Sequence, residues 1–260
     1  MILAAPYYDP DGTYNACFQK HLDQLFSMFD AICLCVIAPT DTQNAKFLKK
    51  LKQAGCTVVS PSADSFGQPS RDALLCAANL PSTSSPVFFG FLDRLLFVLD
   101  TEWRSSFLSD LRTYQDANFC IFERSPRDWE THPSNYRNVE QMVTQIGQLL
   151  WGICIEWTPG ALLLSQSTVQ MLLEHSISPS FAVWSEWILL AMTQQILLTR
   201  KQVDWLAWED PYWEHIEAQT LKHRRETSQE ETRKRIAWNT SILQLFTEER
   251  FTVNLGRIFQ

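Results

Sequence analysis

The chain has 260 residues and a formal net charge of −7, with 45% hydrophobic and 20% charged residues. That length makes one large domain or two small ones and supports a sizeable core. The acidic balance, with a pI near 5.3, gives no sign of the basic face of a duplex-DNA binder, so no nucleic-acid partner is expected.

The first half alternates short apolar runs with helical patterns. Met1 to Tyr8 reads as a strand, and Asp9-Pro10-Asp11-Gly12 as a turn. From Ala16 to Phe29, Cys17, Phe18, His21, Leu22, Leu25 and Phe26 recur at helical spacing. Ala31 to Ile37 is continuously apolar, as a strand covered on both faces should be. Thr42 to Ala54 reads as a helix stopped by Gly55, and Cys56 to Ser60 as a third strand. A polar loop follows, then a helix from Arg71 to Leu80 and a fourth strand from Val87 to Leu92.

The second half continues the pattern. Leu95 to Tyr114 is read as helical with a break near Asp100-Thr101, Asn118 to Glu123 as a strand, and Arg124 to Asp128 as a polar loop. Asn138 to Trp151 is a helix, Ala161 to Leu164 a strand, and Ser165 caps a helix running to Glu174. Trp184 to Leu198 is read as one helix, Trp205 to Tyr212 as a short strand or loop, and His215 to Phe246 as mainly helical. This order predicts an α/β fold with a mostly parallel sheet flanked by helices on both faces. Ligands of such sheets bind beyond the carboxyl ends of the strands. The pair Asp93-Arg94 in VFFGFLDRLLFVLD falls there, at the rim of a crevice rather than in the core.

Seven cysteines, mostly in apolar segments and without a CxxC spacing, read as buried free thiols of a reducing compartment. The first residues enter a strand at once, without the basic and apolar regions of a secretory leader. WILLAMTQQILL is too short to span a bilayer, so no transmembrane segment is expected and the expected location is cytoplasmic. Neither common phosphate loop, no HExxH, no Cys/His zinc pattern and no GxSxG occurs.

SRDALLCAANLPSTSSPVFFGFLDRLL, followed by RSPRDWETHP and GALLLS, resembles bacterial nucleotide-sugar glycosyltransferase-like proteins of the GT-A type, family 2-like. In that group a helix with an arginine leads to a strand ending in D-x-D-R-x-L, followed by an R-S/T-P-R…T-H-P loop. The resemblance covers about Ser70 to Glu186, and the whole chain more loosely. It implies a GT-A-like single domain over residues 1–212 that binds a nucleotide-sugar, with residues 213–260 a helical C-terminal extension packed on it. It implies transfer of a sugar from a nucleotide-sugar donor to an unknown hydroxyl acceptor. The D-x-D acids of the group bind Mn2+ or Mg2+, which neutralises the diphosphate leaving group. Asp93 matches the second acid and metal ligand, and Arg94 the arginine after it; Phe91 stands where the first acid would be.

Further positions follow from the resemblance or from the residues themselves. Arg71 is placed to pair with the diphosphate or with Asp93, or is an exposed helix arginine. Glu156 matches an acid near the acceptor, or is a loop carboxylate. Glu186 matches an acid that serves as general base on the acceptor, or compensates a helix N-terminus. Arg124, Arg127 and His132 form a cluster for phosphate or sugar, or a surface loop salt-bridged with Asp128 and Glu130. Tyr8 and Asp41 occupy positions where the nucleobase stacks and the ribose is held. The charge-dense Lys222 to Arg235 reads as a solvated helix face with Glu230-Lys234 and Glu231-Arg235 pairs. Trp205, Trp208, Trp213 and Trp238 read as core and docking anchors, or as a sugar platform. With Phe91 in place of an acid, a non-catalytic binding or assembly protein on the same scaffold is the alternative. A sugar-nucleotide pyrophosphorylase lacks its glycine-rich signature here.

Overall fold

The computed structural model describes residues 1–81, 85–208 and 217–251. Trp213 and the other residues of 209–216 fall outside them. The elements in chain order are β1 (Ile2–Tyr7), α1 (Asn15–Met28), β2 (Ala31–Val36), α2 (Thr40–Gln43), α3 (Ala45–Gln53), β3 (Thr57–Val59), α4 (Gln68–Ala78) and β4 (Val87–Gly90). Then come α5 (Leu92–Leu99), α6 (Arg104–Tyr114), β5 (Phe119–Arg124), α7 (Pro126–Thr131), α8 (Ser134–Trp151), β6 (Ala161–Leu164) and α9 (Gln166–His175). The chain goes on through α10 (Val183–Thr193), β7 (Leu198–Val203), α11 (Ala218–Thr227) and α12 (Gln229–Phe246).

The seven strands form one sheet in the order β3-β2-β1-β4-β6-β5-β7. β1 pairs in parallel with β2 and β4, β2 with β3, and β5 with β7; β6 runs antiparallel between β4 and β5. The expected mostly parallel α/β sheet is thus present. The pleat sorts the core into two layers. Ile2, Ala4, Cys33 and Cys35 face Leu74, Leu172, Trp187 and Leu245, while Leu3, Ala5, Ile32 and Leu34 face Phe18, Leu51, Leu96 and Phe107. None of the seven cysteines forms a disulfide, and six are buried. No helix among the described residues is long and apolar enough to cross a membrane.

Three local readings are corrected. β4 ends at Gly90 and Phe91 caps α5, so Asp93 and Arg94 lie in a helix's first turn. The reason is physical: an acid at that position complements the helix dipole. The segment after β5 is a helix rather than a loop, because Ser125 accepts from the Asp128 N–H and Pro126 takes the first turn. The helix read through Leu198 stops at Thr193, where Gln195 takes φ +55°, and β7 follows. β7 is an edge strand with only Leu198 and Val203 buried, so its exposed Arg200 and Gln202 hid it from an apolar-pattern reading.

Gly147 of α8 is dictated by packing. A Cβ there would lie 2.1 Å from Nε1 of Trp157, whose side chain is fully buried. Gly147→Ala is expected to destabilise by about 1–3 kcal/mol through overpacking. Urea unfolding measures this, and an unchanged midpoint would mean that the indole yields without cost.

Candidate functional site

A cleft of about 260 Å³ opens at the carboxyl edge of the sheet. Its floor comes from the ends of β4 and β5, from the segment entering the antiparallel β6 and from the segment leaving β7; α12 closes one side. Phe91, Phe181, Trp184 and Trp238 make an aromatic wall. Phe91 meets Trp184 edge-on at 5.0 Å, and Phe181 stacks on Trp238 at 4.6 Å. Asp93, Arg94, His132, Thr158 and Arg235 bring the polar groups.

Of the residues singled out by sequence, Asp93, Arg94, Arg124 and His132 come together at this cleft. Arg94 Nε donates to Asp93 Oδ2 at 3.1 Å, and its Nη1 reaches the Ala207 carbonyl at 3.4 Å. Arg124 is not a ligand arm. It is 8% exposed and its guanidinium is shared between Glu156 Oε1, 2.7 Å from Nε, and Glu140 Oε2, 2.6 Å from Nη2. Its backbone N–H also donates to Glu156, and Nη2 to the Thr158 carbonyl. Burial alone would lower the arginine's pKa, but the two glutamates raise it. Two carboxylates compete for this one cation, and burial pushes Glu156 up to about 7 against the pull of Arg124. The acceptor role expected of Glu156 is therefore corrected: it is a buried partner of Arg124.

Glu186 is corrected too. It is 0% exposed and does not line the cleft. Its carboxylate accepts from the Ser176 hydroxyl at 2.5 Å and from the Ile177 and Ser178 N–H groups at 3.0 Å, and it pairs with Arg250 at 2.8 Å. Arg71 donates to the Ser178 carbonyl and to Gln68 Oε1 at 2.6 Å, away from the cleft. Arg127 lies over the Trp103 ring at 4.4 Å beside a separate groove with Glu130 and Lys222. Tyr8 and Asp41 stand beyond β1 and β2 on the same sheet edge, outside the cleft lining. Tyr8 is half exposed, and Asp41 accepts from the N–H of Thr42.

Arg235 was missed as a site residue. The expected Glu231–Arg235 pair is not made; Glu231 instead takes Arg225 at 3.3 Å, Lys234 at 3.8 Å and the Tyr136 hydroxyl at 2.6 Å. Arg235 lies over Tyr136 at 3.5 Å and Trp238 at 4.6 Å, with Glu140 3.6 Å away. Its Nε is buried without a hydrogen-bond partner among the described residues. The signal was Trp238 three residues on, which marks that helix face as packed rather than solvated.

The surroundings of Asp93 do not fit a divalent cation. The position two residues before it carries the Phe91 ring, packed on Trp184, and Arg94 already neutralises the one carboxylate. A hard cation needs several converging oxygens. Among the described residues the one cluster with metal-ligand spacing is Cys17, His21 and Asp100, which excludes Asp93.

No family model matches the chain, and no curated protein matches it. Solved structures of glucosyl-3-phosphoglycerate synthase from Mycobacterium tuberculosis are similar to it. The complex of that protein with Mn2+, uridine-diphosphate and phosphoglyceric acid aligns at a TM-score of 0.47 and 13% identity, covering 76% of this chain and 66% of its own. Its complex with Mg2+ and uridine-diphosphate aligns at 0.46 and 13%, covering 76% and 67%. The chain spans about two thirds of the length of the structures it matches.

Proposed function

We propose that the chain is a GT-A-like glycosyltransferase that moves a sugar from a nucleotide-sugar donor to a hydroxyl acceptor. Arginine, in place of a metal, faces the donor's diphosphate. The observation that carries this reading is Arg235: a guanidinium in the wall of the strand-end cleft, lying over the Tyr136 and Trp238 rings, with a buried Nε that has no hydrogen-bond partner among the described residues. A planar fork of donors suits phosphate, and its preorganisation stabilises charge that develops on a leaving group. The aromatic wall suits the apolar face of a sugar ring, as in pockets that are mostly apolar with few polar groups. In this reading residues 1–212 form the nucleotide-sugar-binding domain. The extension of residues 213–260 completes the donor site through Arg235 and Trp238.

The test is a thermal-shift and calorimetry panel of nucleoside diphosphates and nucleotide sugars, with and without Mn2+. A ligand that binds only the native state raises the melting temperature by mass action. A rise that needs no metal, weakened at least about tenfold in Kd by Arg235→Met, is expected. A rise seen only with Mn2+ would overturn the arginine assignment, and no binding at all would overturn the donor site. The non-catalytic reading keeps one observation in its favour, the Phe91 ring sealed against Trp184. Donor binding without turnover would decide for it.

A further inference from the structure

Asp128 is fully buried, at 0% exposure, and neither carboxylate oxygen has a hydrogen-bond partner among the described residues. A buried acid without partners is expensive and calls for a reason. It stands on α7, one turn before His132, and the imidazole Nδ1 lies 3.2 Å from Asp128 Oδ1. That approach misses hydrogen-bond geometry, so the carboxyl and the ring touch without a hydrogen bond. Nδ1 also lies 3.1 Å from the Asp128 carbonyl oxygen. This contact assigns the ring proton to Nδ1, since a carbonyl only accepts. Nε2 is then the lone-pair nitrogen. It is not among the buried orphan atoms and has no partner among the described residues, while the ring lines the cleft. A ring anchored at Nδ1 by the Asp128 backbone carbonyl, with the Asp128 carboxyl group beside it and Nε2 left open, is an arrangement that makes an imidazole a directed base.

We infer that Asp128 and His132 form an acid–base dyad of the cleft, in which His132 Nε2 takes the proton of the acceptor hydroxyl and Asp128 holds the ring. The inference rests on the sugar-transfer reading and supplies the base that Glu186 does not. The acceptor oxygen bonds to the anomeric carbon as its proton passes to Nε2. The anomeric carbon–oxygen bond to the diphosphate breaks, and its electron pair leaves on the diphosphate. The imidazolium so formed faces the Asp128 carboxylate. His132 touches the acceptor and is the catalytic residue; Asp128 acts through it and is a positioning residue.

The charges around the pair keep the imidazole neutral, so that its lone pair is free. His132 is held well below its ordinary value, first by burial and then by Arg124 of β5, with Arg94 of α5 and Arg235 of α12 adding to the effect. Burial pushes Asp128 up to about 8; Arg124 and Arg94 oppose the rise, and Glu156 and Asp204 add to it. The Asp128 carboxylate beside the neutral ring therefore appears as pH rises through about 8.

The experiment compares the parent chain with His132→Gln and Asp128→Asn. Nucleotide release from UDP-glucose, GDP-mannose and dTDP-rhamnose is followed with glycerol as the hydroxyl probe, and UDP and GDP affinity is measured in parallel. His132→Gln is expected to lose about 10²–10⁴-fold in turnover with nucleotide affinity within threefold of the parent. Asp128→Asn is expected to flatten the rise in rate near pH 8, which a merely structural role would not do. Unchanged turnover in His132→Gln would overturn the dyad and leave the transfer reading standing. A parent that binds nucleotide but turns over no donor would overturn both. Nitrogen-15 spectra of the imidazoles give a readout free of activity and of variant folding. Nε2 of His132 without a proton at neutral pH supports the dyad, and a protonated Nε2 there overturns it.

Discussion

Arg124→Met is expected to cost about 3–5 kcal/mol of folding stability, because it leaves two buried carboxylates without their shared cation. For a chain of this size that is a fall of roughly 10 °C in melting temperature. Glu140 and Glu156 are 5% and 6% exposed, so neither can turn to water for compensation. Arg235, 3.6 Å from Glu140, reaches only one of them. Adding Glu140→Gln and Glu156→Gln to the variant should recover most of the loss, since neutral amides need no cation. Urea unfolding at constant slope reads both changes. An arginine that merely held a substrate phosphate at the rim would give the opposite pattern, intact stability with weakened ligand binding.

The same triad gives the parent protein a pH dependence with a defined sign. The folded value for Glu156, about 7, lies above its ordinary value of 4.5. Between those two values the folded chain binds more protons than the unfolded one, so this contribution is fully present below about pH 4.5 and is lost as pH rises through 7. Asp128, raised to about 8, acts in the same direction over its own window.

Glu186→Ala is expected to cost about 3–5 kcal/mol as well, because Arg250 loses its buried partner and the turn at 176–178 loses its acceptor. Glu186→Gln keeps the shape and one acceptor oxygen, so it should cost clearly less. Turnover per folded molecule should stay within about twofold of the parent in Glu186→Gln. A general base removed in this way would cost about 10²-fold or more. A rate collapse in a fully stable Glu186→Gln would restore the catalytic assignment and would displace His132.

Much of the architecture is legible in the amino-acid sequence. Continuous apolar runs such as Ala31 to Val36 cannot be solvated on either face, so they reported a sheet covered on both sides. The strand-helix order placed Asp93, Arg94, Arg124 and His132 near one sheet edge, and the cleft is there. Strand direction was not legible throughout. β6 is antiparallel, and its four buried residues, ALLL, read the same in either direction. β7 was hidden because an edge strand needs few apolar positions.

By itself, the sequence determined the α/β alternation, the paired layers of the core and the edge where a ligand would sit, because each is a local periodicity repeated along the chain. Only the tertiary structure decided what each charged side chain does there. Arg124 meets Glu156 across 32 residues and Glu186 meets Arg250 across 64, while Arg235 folds onto Tyr136. A carboxylate or guanidinium reads the same in the sequence whether it is buried and paired or open to a ligand. Desolvation and partner distance separate the two, and both exist only once distant segments have packed together.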